Sequence, residues 1–121
     1  MTVFVVDDDE AVRRSIVFLL VAAGFSVHSF ASGEELLAAC DDGSRGCVLL
    51  DVDMPGMDGI TIAEMLRARG SKLAILLMTG GNVARAEARA HDLGLRPILQ
   101  KPLLANVLLR AVRDVLARLP D

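Results

Sequence analysis

Five short apolar runs punctuate this chain, at Thr2–Val6, 25–29, 47–50, 73–78 and 97–99, and segments of helical period separate them. The runs alternate little between apolar and polar residues, as strands do when both faces of a parallel sheet are covered. In the first helical segment Val12, Ile16, Leu19 and Ala23 form one stripe, with Arg13 and Arg14 off it. Ser32-Gly33-Glu34-Glu35 opens the second as a capping box, in which Ser32 and Glu35 each satisfy an orphan amide. Ile62, Met65 and Leu66 mark the third, and Asn82 caps an Ala-rich fourth that ends near Gly94. The last gathers Val107, Leu108, Ala111, Val112, Val115, Leu116 and Leu119 on one face and leaves Arg110, Arg113 and Arg118 outside it. Strand and helix alternating in this way predict an α/β fold, a doubly wound five-stranded parallel sheet with five helices and right-handed crossovers. At 121 residues the chain is expected to form one domain, 1–121, burying roughly two-thirds of its unfolded surface.

In open sheets of this kind ligands gather beyond the carboxyl ends of the strands. The residues expected there are Asp7-Asp8, Asp51, Thr79-Gly80-Gly81 and Gln100-Lys101-Pro102, while the second strand delivers nothing polar of note. Taken singly, each has an ordinary reading. Asp9 and Glu10 complement a helix start, a lone Asp51 or Asp53 is a turn residue, Thr79 a cap and Lys101 a solvated charge. Their coincidence on one edge is what carries a functional reading. Asp7, Asp8 and Asp51, with Asp53 as a fourth, crowd carboxylates that repel one another unless a cation compensates. Oxygen-only ligands with access to water suit Mg²⁺, and a carboxylate beside it can serve as a nucleophile that forms an acyl phosphate. Asp51 is the best placed, with an apolar run behind it and Met54-Pro55-Gly56 ahead. Among thirteen basic residues only Lys72 and Lys101 are lysines. A compact ammonium on a flexible stem can follow a phosphoryl oxygen. Thr79 adds a hydroxyl, and Gly80-Gly81 permits close backbone approach and mobility.

Composition narrows the alternatives. A net charge of -3 and 3% aromatic residues give neither a footprint for a phosphate backbone nor stacking platforms, so direct nucleic-acid binding is not expected. The longest apolar run, 16–25, is about half of a membrane span, and the acids from Asp7 onward leave no basic-flanked signal peptide. A cytoplasmic location is expected. Cys40 and Cys47 lack the spacing of a zinc site or a disulfide framework, and His28 and His91 have no partner at ligand spacing.

Phe4-Val5-Val6-Asp7-Asp8-Asp9-Glu10, Leu49-Leu50-Asp51-Val52-Asp53-Met54-Pro55-Gly56-Met57-Asp58-Gly59, Met78-Thr79-Gly80 and Lys101-Pro102, in that order, resemble the receiver domain of bacterial response regulators over the whole chain. The opening motif is closest to receivers that precede a helix-turn-helix output domain. The resemblance implies a flavodoxin-like sheet, order 2-1-3-4-5, and a phosphorylation-dependent signalling switch rather than an enzyme with turnover. It implies that Asp51 accepts a phosphoryl group from a sensor histidine kinase, and that Asp8 and Asp51 bind Mg²⁺ directly, with the Asp53 backbone carbonyl, while Asp7 acts through water. Thr79, Lys101, Gly80 and the Val52 backbone amide would meet the phosphoryl group. Downstream it implies a partner protein or linked output domain, and a homodimer through the fourth helix, fifth strand and last helix. Three positions depart from the family pattern: Ile98 stands where an aromatic switch residue is common, Gly94-Leu95-Arg96-Pro97 replaces a Gly-Ala approach to the last strand, and Leu103 replaces an aromatic. Pro97 lacks a ladder donor and points to an edge strand. Asp51-Val52-Asp53 also matches the DxD of haloacid-dehalogenase-type phosphatases, although that family carries it on the first strand. A receiver-like binding module that is never phosphorylated is the remaining alternative.

Overall fold

The structure, a computed structural model, describes residues 1–95 and 97–119. Five strands, β1 (Thr2–Val6), β2 (Ser26–Phe30), β3 (Cys47–Asp51), β4 (Ala74–Thr79) and β5 (Ile98–Gln100), alternate with helices α1 (Glu10–Ala22), α2 (Gly33–Ala39), α3 (Gly59–Ala68), α4 (Val83–Arg89) and α5 (Ala105–Ala117). All pairings are parallel and the order is β2-β1-β3-β4-β5.

The unbroken apolar runs are explained by two cores, one on each face. Phe4, Val6, Val48, Leu50, Leu77 and Ile98 point to the side covered by α2, α3 and α4. Val3, Val5, Leu49, Leu76, Met78 and Leu99 point to the side of α1 and α5. Successive side chains of a strand face opposite ways, so a strand between two apolar layers must be apolar throughout. Cys47 is enclosed in the second layer, where burial pushes its thiol up to about 12, and it acts as a small hydrophobe.

Helix starts follow the expected caps. Asp9, Ser32 and Asn82 accept hydrogen bonds from the amides of Val12, Glu35 and Arg85. Glu35 closes its capping box on the Ala31 amide. Asp58 caps α3 through the Thr61 amide at 2.9 Å, and its other oxygen receives Arg89 Nη2 from α4 at 2.6 Å.

Several expected boundaries move. β2, β4 and β5 each begin one residue later, because Phe25 turns into the α1 layer, the Leu73 amide is taken by the Ser71 hydroxyl, and Pro97 has no N–H for the ladder. β5 is an edge strand as Pro97 implied, and Arg96 lies outside the described residues. The α1 stripe turns inward through Ile16 and Leu20, with Leu19 only half-buried. α4 ends at Arg89 rather than near Gly94. A 3₁₀ turn, His91–Leu93, follows and closes at Gly94, whose φ of 65° suits a residue without Cβ. Met65 and Val107, expected on core faces, are exposed.

The Asp58 carboxyl is held below the usual carboxylate range. Burial pushes it up, but the hydrogen bonds from Arg89 and Thr61 outweigh that. A carboxyl so lowered contributes stability that is present above its unfolded value of 3.8 and lost as pH falls through the folded value. In urea titrations near neutral pH, Asp58→Ala should cost about 1–2 kcal/mol through loss of cap and ion pair, and Arg89→Ala about 0.5 kcal/mol. The Asp58→Ala deficit should narrow in acid.

Candidate functional site

Beyond the carboxyl ends of β1, β3, β4 and β5, four loops converge. Asp7 directly follows β1 and is fully buried, and Asp51 ends β3 at 2% exposure. Burial of the central strands carries their terminal carboxylates inside, while Asp8, one residue further, is exposed. The three offer carboxylate oxygens that all lie within 4.8 Å of one another.

Lys101, just past β5, reaches into this cluster. Its Nζ donates to Asp7 Oδ2 at 2.8 Å and Asp51 Oδ2 at 2.9 Å. The other Asp51 oxygen accepts the Asp53 amide at 2.9 Å, and Asp7 Oδ1 accepts the Asp9 amide at the same distance. Arg13 reaches back from α1 to the Asp7 carbonyl at 2.7 Å. One ammonium thus leaves most of the charge of three carboxylates uncompensated, and the oxygen-only donor set fits a small hard divalent cation such as Mg²⁺.

Burial sets the titration of this pair. The Asp51 carboxyl is held above the usual range, first by desolvation, against which the Asp53 amide and Lys101 pull down while Asp7 pushes up. Burial alone would lower the Lys101 ammonium, but its two carboxylate partners raise it. The ammonium therefore gains from its place, whereas the Asp51 carboxylate is ionised there at a cost in stability.

Thr79, at the end of β4, is 1% exposed. Its hydroxyl donates to Asp53 Oδ2 at 2.5 Å and accepts the Gly81 amide at 3.0 Å. The Gly80 amide reaches the same Asp53 oxygen at 3.1 Å. The carbonyl of Thr79 receives the Lys101 amide at 2.8 Å and Gln100 Nε2 at 3.2 Å, and Gln100 also reaches the Gly81 carbonyl.

The geometry brings Asp7, Asp8, Asp51, Asp53, Thr79, Gly80 and Lys101 to one edge, and corrects one detail. The Val52 amide, expected to face a phosphoryl group, continues the ladder to the Met78 carbonyl at 2.8 Å. The amide on the Asp51 carboxylate is that of Asp53, and the one on the Asp53 carboxylate is that of Gly80. Neither Gly80 nor Gly81 has positive φ, and an added Cβ would meet no other protein atom within 4 Å at Gly80 and only ordinary contacts at Gly81.

Three contributors have no role assigned from the sequence. Gln100 clasps the β4–α4 loop, Arg13 fixes the Asp7 carbonyl, and Gly59 lies against β3 so tightly that a Cβ would sit 2.5 Å from the Asp51 carbonyl oxygen. For Gly59 the sequence does hold a signal, since it closes the motif that begins at Leu49, and a glycine can mark a close backbone approach.

The profile of the response regulator receiver domain matches residues 3–113. The transcriptional regulatory protein FixJ of Azorhizobium caulinodans is 38% identical over 118 residues, covering 98% of this chain and 56% of that protein. Full-length FixJ from B. japonicum superposes with a TM-score of 0.87 at 37% identity, covering 97% of this chain and 58% of that one. The Vibrio cholerae chemotaxis protein CheY4 gives 0.85 at 28% identity, covering 94% and 97%. The chain spans about half the length of the FixJ proteins it matches.

A raised carboxyl means that the folded state binds the proton more tightly than the unfolded chain, so stability falls as pH climbs past 3.8 and the cost persists at neutral pH. Asp51→Asn should therefore melt at a higher temperature than wild type at pH 7, with the difference shrinking below pH 4 as both states become neutral; scanning calorimetry across pH reads this. Lys101→Met keeps the stem but leaves two buried carboxylates facing each other, and should lose about 3 kcal/mol at neutral pH in urea titrations.

Proposed function

The chain belongs to the response regulator receiver domain family, and from that premise we propose that it is a phosphorylation-dependent switch whose acceptor is Asp51. The observation that carries this reading is the buried Asp51 carboxylate, held at 2.9 Å by a lysine that also grips Asp7 at the mouth of the sheet. A carboxylate raised by burial and steered by one ammonium is a poised nucleophile.

In the transfer, an Asp51 oxygen attacks the phosphorus of a phosphohistidine on a sensor histidine kinase. The O–P bond forms as the P–N bond breaks, and the electron pair leaves with the imidazole nitrogen. Lys101 stays beside the reacting carboxylate and offsets charge that moves onto the phosphoryl oxygens. The Asp53 amide, already on Asp51, holds the carboxylate plane, and the Thr79 hydroxyl and Gly80 amide are the next donors within the edge. Asp7, Asp8 and Asp51, with the Asp53 carbonyl, are the residues that would hold Mg²⁺, which when bound neutralises charge on the transferred group. Hydrolysis of the acyl phosphate returns Asp51 to its carboxylate.

The partners that fit this reading are a sensor histidine kinase upstream and an output domain or separate protein downstream. Residues matched in the transcriptional regulators are about half of those proteins, which supports an output element of that kind. The face of α4, β5 and α5 is the proposed site of phosphorylation-dependent homodimerisation. Among the described residues no helix is long and apolar enough to cross a membrane, and the proposed location is the cytoplasm.

Incubation with a small acyl-phosphate donor and Mg²⁺ should add one phosphoryl mass to wild type and none to Asp51→Asn, and hydroxylamine should remove it. A label that resists hydroxylamine or persists in Asp51→Asn overturns the assignment. Mg²⁺ alone should raise the melting temperature of wild type, and Asp8→Asn should weaken that response more than Asp7→Asn.

A further inference from the structure

The Asp53 side chain has no part in the transfer described above, yet it makes the shortest polar contact at this edge. Its Oδ2 takes the Thr79 hydroxyl at 2.5 Å and the Gly80 amide at 3.1 Å, so one carboxylate oxygen collects two donors from the β4–α4 loop. A hydroxyl has a single proton to give. While that of Thr79 lies on Asp53, Thr79 has nothing to offer an anion on Asp51. The loop is held from behind as well, since the Thr79 carbonyl is taken by the Lys101 amide and by Gln100, which also grips the Gly81 carbonyl. With these carbonyls fixed, the hydroxyl, which also carries the Gly81 amide, and the Gly80 amide are the groups left to exchange partners. Asp53 is exposed and Thr79 is buried, so the exchange takes place at the rim of the site without opening either core.

We propose that Asp53 is a positioning residue that acts as an internal anion: in the resting protein its carboxylate occupies the Thr79 hydroxyl and Gly80 amide, and a phosphoryl group on Asp51 must displace it to recruit them. This rests on the phosphoacceptor reading and adds a threshold to it. A competing acceptor subtracts from the affinity of any anion at Asp51 by the share of molecules in which it holds the donors. Plain repulsion between Asp53 and that anion acts in the same direction, and the test has to separate the two.

The chain contains neither Trp nor Tyr, so the probe is beryllofluoride with Mg²⁺, titrated by calorimetry and by amide NMR. Asp53→Ala should bind beryllofluoride roughly three- to tenfold more tightly than wild type, the range expected for loss of one or two competing hydrogen bonds. Asp53→Asn, which keeps an acceptor oxygen and drops the charge, should gain less. In a Thr79→Ala background the gain from Asp53→Ala should fall by at least about half, as coupled residues require. In the metal-free protein without beryllofluoride, Asp53→Ala should shift the Gly80 amide resonance and speed its hydrogen exchange. An unchanged Gly80 amide overturns the proposal, as does a gain of equal size with and without Thr79, which would mean repulsion alone. Wild type that binds beryllofluoride, with Asp53→Ala no tighter, sinks the internal anion and leaves the phosphoacceptor reading standing. Wild type that fails to bind sinks both.

Discussion

Lys101 Nζ lies 2.8 Å from Asp7 and 2.9 Å from Asp51, and this shared ammonium is what allows two buried carboxylates to face each other at the end of the sheet. Without it, strands β1 and β3 would end in two like charges removed from water, an arrangement that folded chains avoid by protonation or by coming apart. The ammonium does not complete the neutralisation. Asp8 is exposed and adds a further negative charge, so the edge keeps an excess of carboxylates that a cation could offset and a carboxylate still costly to ionise. Stability and chemistry are in opposition here, and the chain accepts strain at Asp51 where a different residue would fold more comfortably.

The rest of the architecture supplies rigidity to that edge. The central strands β1, β3 and β4 are covered on both sides, and the two cores meet only through the sheet. Asp7, Asp51 and Thr79 are direct extensions of those strands, so their backbones have little freedom. Gly59 shows how close the fit is, since its missing side chain lets the start of α3 press on the Asp51 carbonyl. The β5 edge is lighter: a three-residue strand, preceded by Pro97, carries Lys101. The lysine thus sits on the least constrained strand that borders the site, with four carbons of stem to bridge the gap.

Signalling needs an element with two arrangements of similar energy. In the proposed switch α4 would be that element. It is only seven residues long, it packs small side chains, Ala86 and Ala90, into the cluster that contains Ile98, and its C-terminal end is tied to the α3 cap by Arg89 on Asp58. Ile98 is buried and β-branched, so it is stiff at χ1 and has less volume to swing than an aromatic ring would have in its place. In that proposal, movement would fall to the β4–α4 loop and the short helix rather than to a side chain swinging out at position 98.

Local physics made much of this legible in the residues alone. Apolar runs marked the five strands, helical period marked the first, third and last helices, and caps that reach three residues ahead, at Asp9, Ser32 and Asn82, marked helix starts. The carboxyl-end rule brought Asp7, Asp8, Asp51, Thr79 and Lys101 to one edge because it depends only on strand direction. Strand starts moved by one residue, and α4 stopped short of Gly94, because the last turn of an element is decided by what its backbone groups find nearby. What the tertiary structure alone decided is which donor meets which acceptor. The Lys101–Asp7 bond spans 94 residues of chain and the Thr79–Asp53 bond 26, the Val52 amide went to the ladder rather than to the site, and Gln100 and Gly59 gained roles from neighbours remote in sequence. Residue type and period determine which edge the strands end on and what chemistry arrives there; hydrogen bonds between those ends depend on ångström-scale placement by two packed cores, which no local pattern encodes.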